Sequence, residues 1–399
     1  MSQRALSDVK ILDLTHYIAG PYCTKLLADH GADVVKVEKP GQGDGARRVG
    51  PFLSDDPDPE KSGLFLYLNT NKKSITLNLK ADTGVKVFKE LVREADILVE
   101  SFRPGVMARL GLDYETLEKM NPRLVMTSIS NFGQSGPYRD YKSAHLVESA
   151  LAGWLYVVGE PNREPVQTGG WLSQYVAGLV AATGTMTALY YQRQTDVGQH
   201  VDVSMMEAAI PIATVITTMY SYLGRNRQRV GNVFFLAAGF VVPCKDGYVG
   251  VQAYTMAQFD LLCQFIGMPE LAADPKLKTV TGLRDQAREV SERIAPWFRD
   301  KKQDEVFHAA QEWGIPFGLI PTAEDLVNSP HLKARGWFAE ADHPQTGRVT
   351  YPGRPFQLSE TPWAIRRTAP LLGEHNEEVY GRLGYTGDDL VRMRERGVI

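Results

Sequence analysis

The sequence predicts an α/β protein in which a parallel sheet carries helices on both faces and a smaller α+β region follows. Three observations predict it. Short apolar, β-branched runs recur from the N-terminus, stretches of helical periodicity separate them, and few charges interrupt the runs, as strands covered on both faces require. Residues 9–14, 33–38, 74–79, 97–100 and 124–130 read as strands, and residues 22–30 and 83–94 as helices between them. The sheet is of Rossmann type, yet the turn after the first strand, Thr15-His16-Tyr17-Ile18-Ala19-Gly20-Pro21, has no Gly-x-Gly-x-x-Gly. Without it the backbone approach to a dinucleotide pyrophosphate is missing, which argues against a nicotinamide or flavin dehydrogenase.

Two long helical patterns follow at 143–158 and 171–191, then a strand pattern at 198–204. Residues 238–253 form a hairpin pattern around Cys244-Lys245-Asp246-Gly247, where Asp-Gly suits a positive-φ turn. Helical patterns at 257–266, 284–298 and 303–313 and a strand pattern at 314–320 complete a smaller domain. Beyond it, 336–358 reads as a hairpin with Pro344-Gln345-Thr346-Gly347 at its tip, and the tail from 369 returns to helix. The expected organisation is a large domain from 1–221, a small domain from 222–325, and a segment from 326–399 that returns to the large domain.

With 399 residues the chain can bury a sizeable core, and 44 basic against 47 acidic residues leave a net charge of -3. So even a balance recruits neither nucleic acid nor an anionic membrane, and any anion site must be local. The N-terminus lacks a basic stretch followed by an apolar core, so no signal peptide is read. The most apolar long run, 205–223, is interrupted by Glu207 and Pro211, which favours a buried helix over a membrane span and a soluble, cytoplasmic protein. Cys23, Cys244 and Cys263 are odd in number and far apart, as reduced thiols would be. The eight histidines show no metal-ligand spacing, so no metal is expected.

Several separated motifs, in order, carry a family resemblance: Val9 through Cys23, Asn71-Lys72-Lys73-Ser74-Ile75-Thr76-Leu77, Phe102-Arg103-Pro104-Gly105-Val106-Met107, and Ala369-Pro370-Leu371-Leu372-Gly373-Glu374-His375. The chain resembles the class III coenzyme A transferases, the relatives of formyl-CoA transferase and carnitine CoA-transferase, over nearly its whole length. The resemblance implies a Rossmann-like large domain built from both chain ends, a small central domain, and a dimer of two interlocked rings. It also implies acyl-CoA and a carboxylic acid as substrates, with no tightly bound cofactor. By resemblance, coenzyme A contacts fall on His16, Ile18, Ala19, Lys39, Leu77 through Lys80, Ser101 through Arg103, Arg109 and Lys142. Lys39, Arg103, Arg109 and Lys142 could pair with the 3′-phosphate and diphosphate, arginine bidentately. For each cation the alternative is a solvated surface charge, and for His16 a hydrogen-bonded loop histidine.

The resemblance also exposes a departure. In that family an aspartate attacks the acyl-CoA to form a mixed anhydride, and returning thiolate then converts it to an aspartyl-CoA thioester. Counting back without gaps from Thr195-Asp196-Val197-Gly198-Gln199 places this residue at Gln174, with Gly178 where the family keeps a glycine. An amide is a poor nucleophile and cannot form that anhydride. Formyl-CoA transferase carries a glutamate where this chain has His145, and Glu148 shares the same helical face. His145 and Glu148 read either as an acid-base pair or as part of a helix start capped by Ser143. No glycine-rich segment occurs between 230 and 240; Phe234 and Phe235 stand there, as acyl-pocket walls or as core.

Four functions follow. The first is a heteromeric transferase whose homologous partner supplies the aspartate, as in enzymes resembling succinyl-CoA:benzylsuccinate CoA-transferase. The others are a homodimeric acyl-CoA racemase or isomerase using His145 and Glu148, a coenzyme A-binding protein without turnover, and a transferase with Glu148 as a relocated carboxylate.

Overall fold

The structure, a computed structural model, describes residues 4–233 and 238–399. Six strands, β1 (Lys10–Leu14), β2 (Asp33–Glu38), β3 (Lys72–Thr76), β4 (Ile97–Glu100), β5 (Val125–Ser130) and β6 (Gln199–Ser204), form one sheet in the order β3-β2-β1-β4-β5-β6. Every pairing is parallel, so the connections must cross over the faces, and helices do so. In chain order these helices are α1 (Ala19–Asp29), α2 (Gly63–Leu68), α3 (Asp82–Glu94), α4 (Val106–Arg109), α5 (Tyr114–Glu118), α6 (His145–Leu151) and α7 (Leu172–Thr195). One face is packed by Leu12, Val35, Ile75, Phe88 and Leu98, the other by Ile11, Val34, Val99, Cys23 and Ala181. This is the alternation that period-two strands produce between two helical layers.

The chain divides into two compact units. The first comprises the chain up to Trp154, Gly169–Thr214 and Ala334–Ile399; the second comprises Leu155–Thr168 and Val215–Lys333. In the first unit the returning tail covers the β3 edge: Asn376 Oδ1 accepts the Thr76 N–H at 2.9 Å, and the His375 N–H donates to the Ser74 carbonyl at 2.9 Å. The second unit has its own core around Phe259, Leu262, Val290, Ile294 and Phe298 beneath the antiparallel strands β7 (Ala238–Pro243), β8 (Tyr248–Ala253) and β9 (Phe317–Leu319). A further hairpin, β10 (Ala339–His343) with β11 (Gly347–Tyr351), belongs to the first unit.

Three expectations are corrected. The strand expected at 74–79 starts at Lys72, because that lysine is buried against Asp13 and behaves as a core residue despite its charge. The helix expected over 143–158 is only α6, closed by Gly153 at φ 78°, with a short 3-10 turn at Leu155–Val157. The run 205–223 is no single buried helix: it breaks into Met205–Ala209, a 3-10 turn and Thr214–Leu223, with Tyr220 and Tyr222 exposed. Among the described residues no helix is long and apolar enough to cross a membrane. Phe234 and Phe235 lie outside the described residues.

Candidate functional site

The C-terminal ends of the parallel strands carry the polar chemistry, beginning with a buried ion cluster under the turn from β1 to α1. Asp13 accepts hydrogen bonds from the Thr15 N–H at 2.9 Å, the Thr24 hydroxyl at 2.6 Å and Lys72 Nζ at 3.0 Å. Lys36 Nζ bridges Asp44 at 2.8 Å and the Thr15 carbonyl at 2.8 Å. Burial opposes ionisation of Asp13, but Lys36 and Lys72 outweigh it and hold its carboxyl below the usual range. Burial brings Lys72 down to about 8 in spite of Asp13. Such a cluster yields little net stability, but losing one partner strands a charge, so it pins one geometry. That geometry includes Tyr17 at φ 64°, whose N–H donates to Asp44 at 2.9 Å.

Beside Tyr17, the His16 N–H donates to Ser101 Oγ at 3.0 Å and the His16 ring lies 6.0 Å from Phe102. The fold therefore brings together His16 and the Ser101–Arg103 turn, two segments that sequence reasoning joined only through resemblance. A cleft of about 260 Å³ opens there, lined among others by Ser101, Arg103, Arg109, Ser130, Asn131 and Arg139. Of the expected coenzyme A contacts, Ser101, Phe102, Arg103 and Arg109 line it. Lys39, Lys80 and Lys142 are exposed and are not among its lining residues, and Lys39 is hydrogen-bonded to Gln42 at 2.9 Å. Ile18, Ala19 and Leu77 are buried in apolar clusters, which leaves only their main chain for a ligand.

Glu100, the last residue of β4, directly precedes the cleft-lining Ser101 and Phe102. Its carboxylate accepts the Phe102 N–H at 2.7 Å, and burial pushes its carboxyl up to about 7 against the opposing hydrogen bond from Ser128. Sequence reasoning missed it because a glutamate ending a strand looks like an ordinary solvated terminus. Arg139 was missed for a similar reason, standing as one arginine in a polar stretch.

The second site is the first turn of α7. Trp171 is the N-cap, without a side-chain cap bond, and Leu172, Ser173 and Gln174 follow, so no carboxylate occupies this turn. Ser173 is buried and faces α6: its hydroxyl lies 2.7 Å from His145 Nδ1 and donates to Glu148 at 3.4 Å. Burial lowers the His145 pKa, and it pushes Glu148 up to about 7 despite the Ser173 bond. Both shifts favour the uncharged form of the group. Among the described residues His145 Nε2 is buried without a hydrogen-bond partner. The start of α6 is not capped by Ser143: Ala144 is the N-cap, and the Ser143 hydroxyl donates to the Ala144 carbonyl at 3.3 Å. A serine before a helix is only a cap when its rotamer reaches the free N–H groups, and here it turns away.

The register of α7 is set by close packing on α1. Tyr175 meets Tyr22 edge to face at 5.0 Å, and a Cβ on Gly178 would stand 2.5 Å from the Ala19 carbonyl oxygen. Only glycine allows this approach, and it fixes which side of the first turn Ser173 and Gln174 present.

The family model described as CoA-transferase family III matches residues 6–376. The chain belongs to that family. It is 35% identical to the succinyl-CoA--D-citramalate CoA-transferase of Chloroflexus aurantiacus, over 99% of this chain and 98% of that one. It is 34% identical to the succinyl-CoA--L-malate CoA-transferase alpha subunit of Chloroflexus aurantiacus, covering 100% of this chain and 93% of the other. Among solved structures, a CAIB/BAIF family protein from Brucella suis superposes with a TM-score of 0.85 at 29% identity, covering 96% of this chain and 100% of that chain. Family III membership makes this chain a transferase that works on coenzyme A thioesters.

Proposed function

We propose that this chain is one subunit of a heteromeric family III transferase, which moves coenzyme A between an acyl-CoA such as succinyl-CoA and a carboxylic acid. A homologous partner supplies the aspartate, and the two chains interlock as rings. The observation that carries this reading is Gln174 in the first turn of α7, a turn with no carboxylate. Glu148, the carboxylate that reaches this turn, is 1% exposed and is hydrogen-bonded to Ser173, so it is poorly placed to attack a thioester. The covalent cycle needs an oxygen nucleophile that becomes an acyl donor. A carboxylate attacks the thioester carbonyl and expels the thiolate, which attacks the enzyme carbonyl of the anhydride to give an enzyme thioester and release the donor acid. The acceptor carboxylate then displaces the thiolate to form a second anhydride, and the thiolate attacks its acceptor carbonyl, giving the new acyl-CoA and freeing the enzyme carboxylate. A neutral amide enters none of these steps. The names of the two Chloroflexus relatives support succinyl-CoA as donor, and the alpha-subunit name of one supports a multi-subunit assembly. Free Cys23, Cys244 and Cys263 agree with work in the reducing cytoplasm.

The subunit composition of the native complex tests this. The expected result is a second, homologous chain with an aspartate at the position equivalent to Gln174, and exchange between succinyl-CoA and an acid only when both chains are present. Exchange at ordinary enzyme rates by the purified chain alone would contradict it.

The His145–Ser173–Glu148 contact favours a second reading, proton transfer at the α-carbon of a bound acyl-CoA, because both ionisable groups are tuned toward neutrality. Wash-in of solvent deuterium at that carbon by the chain alone would support it, and its absence with a bound acyl-CoA would end it.

A further inference from the structure

We propose that Arg139 and Arg109 together clamp one phosphoryl group of the coenzyme A nucleotide, which makes Arg139 a binding residue for the acyl-CoA substrate. The inference rests on the proposed substrate class and is independent of where the aspartate comes from.

The geometry is a convergence of like charges. Gly105 stands at φ 78° ahead of α4, and a Cβ placed there would lie 3.4 Å from a guanidinium nitrogen of Arg109 and 3.9 Å from one of Arg139. Two arginines from separate segments thus share the space above one glycine. The protein offers little to offset them. Among the described residues Arg103 and Arg109 have no carboxylate within 4.0 Å, and Arg139 has only the exposed Asp140 at 3.7 Å, a weak contact. Three arginines, Arg103, Arg109 and Arg139, line the cleft against one carboxylate, Asp140, a positive balance that suits an anion.

The rest of the cleft identifies the anion. Ser101, Ser130 and Asn131 add neutral hydrogen-bonding groups, as a group with several oxygens would use. A volume of about 260 Å³ holds a phosphoryl group with part of a nucleotide and is too small for the whole coenzyme. Sequence position and resemblance both pass over Arg139, and only the fold shows that it lines the same cleft as Arg109.

The test is calorimetric titration of the full-length chain with coenzyme A and with 3′-dephospho-coenzyme A, before and after Arg139→Ala. The expected result is a loss of coenzyme A affinity of about tenfold, the scale of one charge-assisted contact. A loss confined to coenzyme A assigns the clamp to the 3′-monoester, and an equal loss on both ligands assigns it to the diphosphate; either outcome supports the proposal. Arg139→Lys should recover part of the loss, since an ammonium restores the charge without the two-pronged geometry. Arg139 is 43% exposed in its side chain, so the variant should keep the parent's unfolding midpoint. Affinities within twofold of the parent on both ligands would overturn the clamp, and no binding of coenzyme A by the unaltered chain would overturn the clamp and the substrate class together. Turnover by the isolated chain with Arg139-dependent binding would overturn only the partner assignment.

Discussion

The cleft at the ends of β4 and β5 and the first turn of α7 lie in one structural unit but treat charge in opposite ways. In the cleft, Arg103, Arg109 and Arg139 outnumber the one lining carboxylate, Asp140, among the described residues. At the α7 turn His145 and Glu148 are buried and shifted toward their uncharged forms, and Gln174, where the resemblance expects the nucleophile, is an amide. On the proposed function, the contrast separates binding from bond-making: the arginine cleft would hold an anionic thioester, and the α7 turn, with Gln174, has no carboxylate to open it.

The largest effect that could break this contrast is Gln174→Asp. If the α7 turn lacks only its carboxylate, the substitution should raise succinyl-CoA exchange by the isolated chain at least about 100-fold over background, measured by chromatography of the coenzyme A esters. No gain would mean that the turn has diverged beyond one side chain.

Next in size is Asp13→Asn, which leaves Lys36 and Lys72 without their shared carboxylate. Breaking a buried ion cluster from one side costs about 3–5 kcal/mol, so chemical denaturation should show a loss of that order. Binding of coenzyme A should weaken as well, because the cluster holds the His16 turn beside the cleft. Unchanged stability would show that the cluster is not what pins the turn.

The smallest effect compares Glu100 with Glu148, one under each region and both with carboxyls pushed up to about 7. A carboxyl raised on folding contributes stability that is full below its unfolded value, about 4.5, and is lost as pH rises through about 7. Glu100→Gln and Glu148→Gln should each flatten stability between pH 5 and 8, by about 1–3 kcal/mol at the upper end. Of the two, only Glu100→Gln should also remove a weakening of coenzyme A binding as pH rises past about 7, since the Glu100 carboxylate is the one bonded to the cleft-lining Phe102 N–H. The same binding change with Glu148→Gln would dissolve the distinction between the two regions.

Most of the sheet is legible in the sequence because β1, β2, β4 and β5 carry clustered apolar residues bounded by turns, and β6 alternates valines with polar residues. β3 was misplaced because Lys72 hides a buried position behind a charge, and no local pattern reveals that Asp13 waits for it. The helix at 143–158 was read too long because Gly153 is tolerated by periodicity yet takes positive φ. At the site, Gln174 was legible by counting from Thr195, and His145 with Glu148 by helical spacing. Ser173, which joins them, was not, because a hydroxyl acquires its role only when two helices pack. Arg139 and Glu100 depend on contacts between distant segments, which spacing along one chain does not encode.

The central claim is tested most directly by the intact mass of the purified chain during incubation with succinyl-CoA and a carboxylic acid. The account predicts an unmodified mass throughout, with an adduct appearing on the homologous partner when it is added. An acyl or coenzyme A adduct on this chain alone would contradict it.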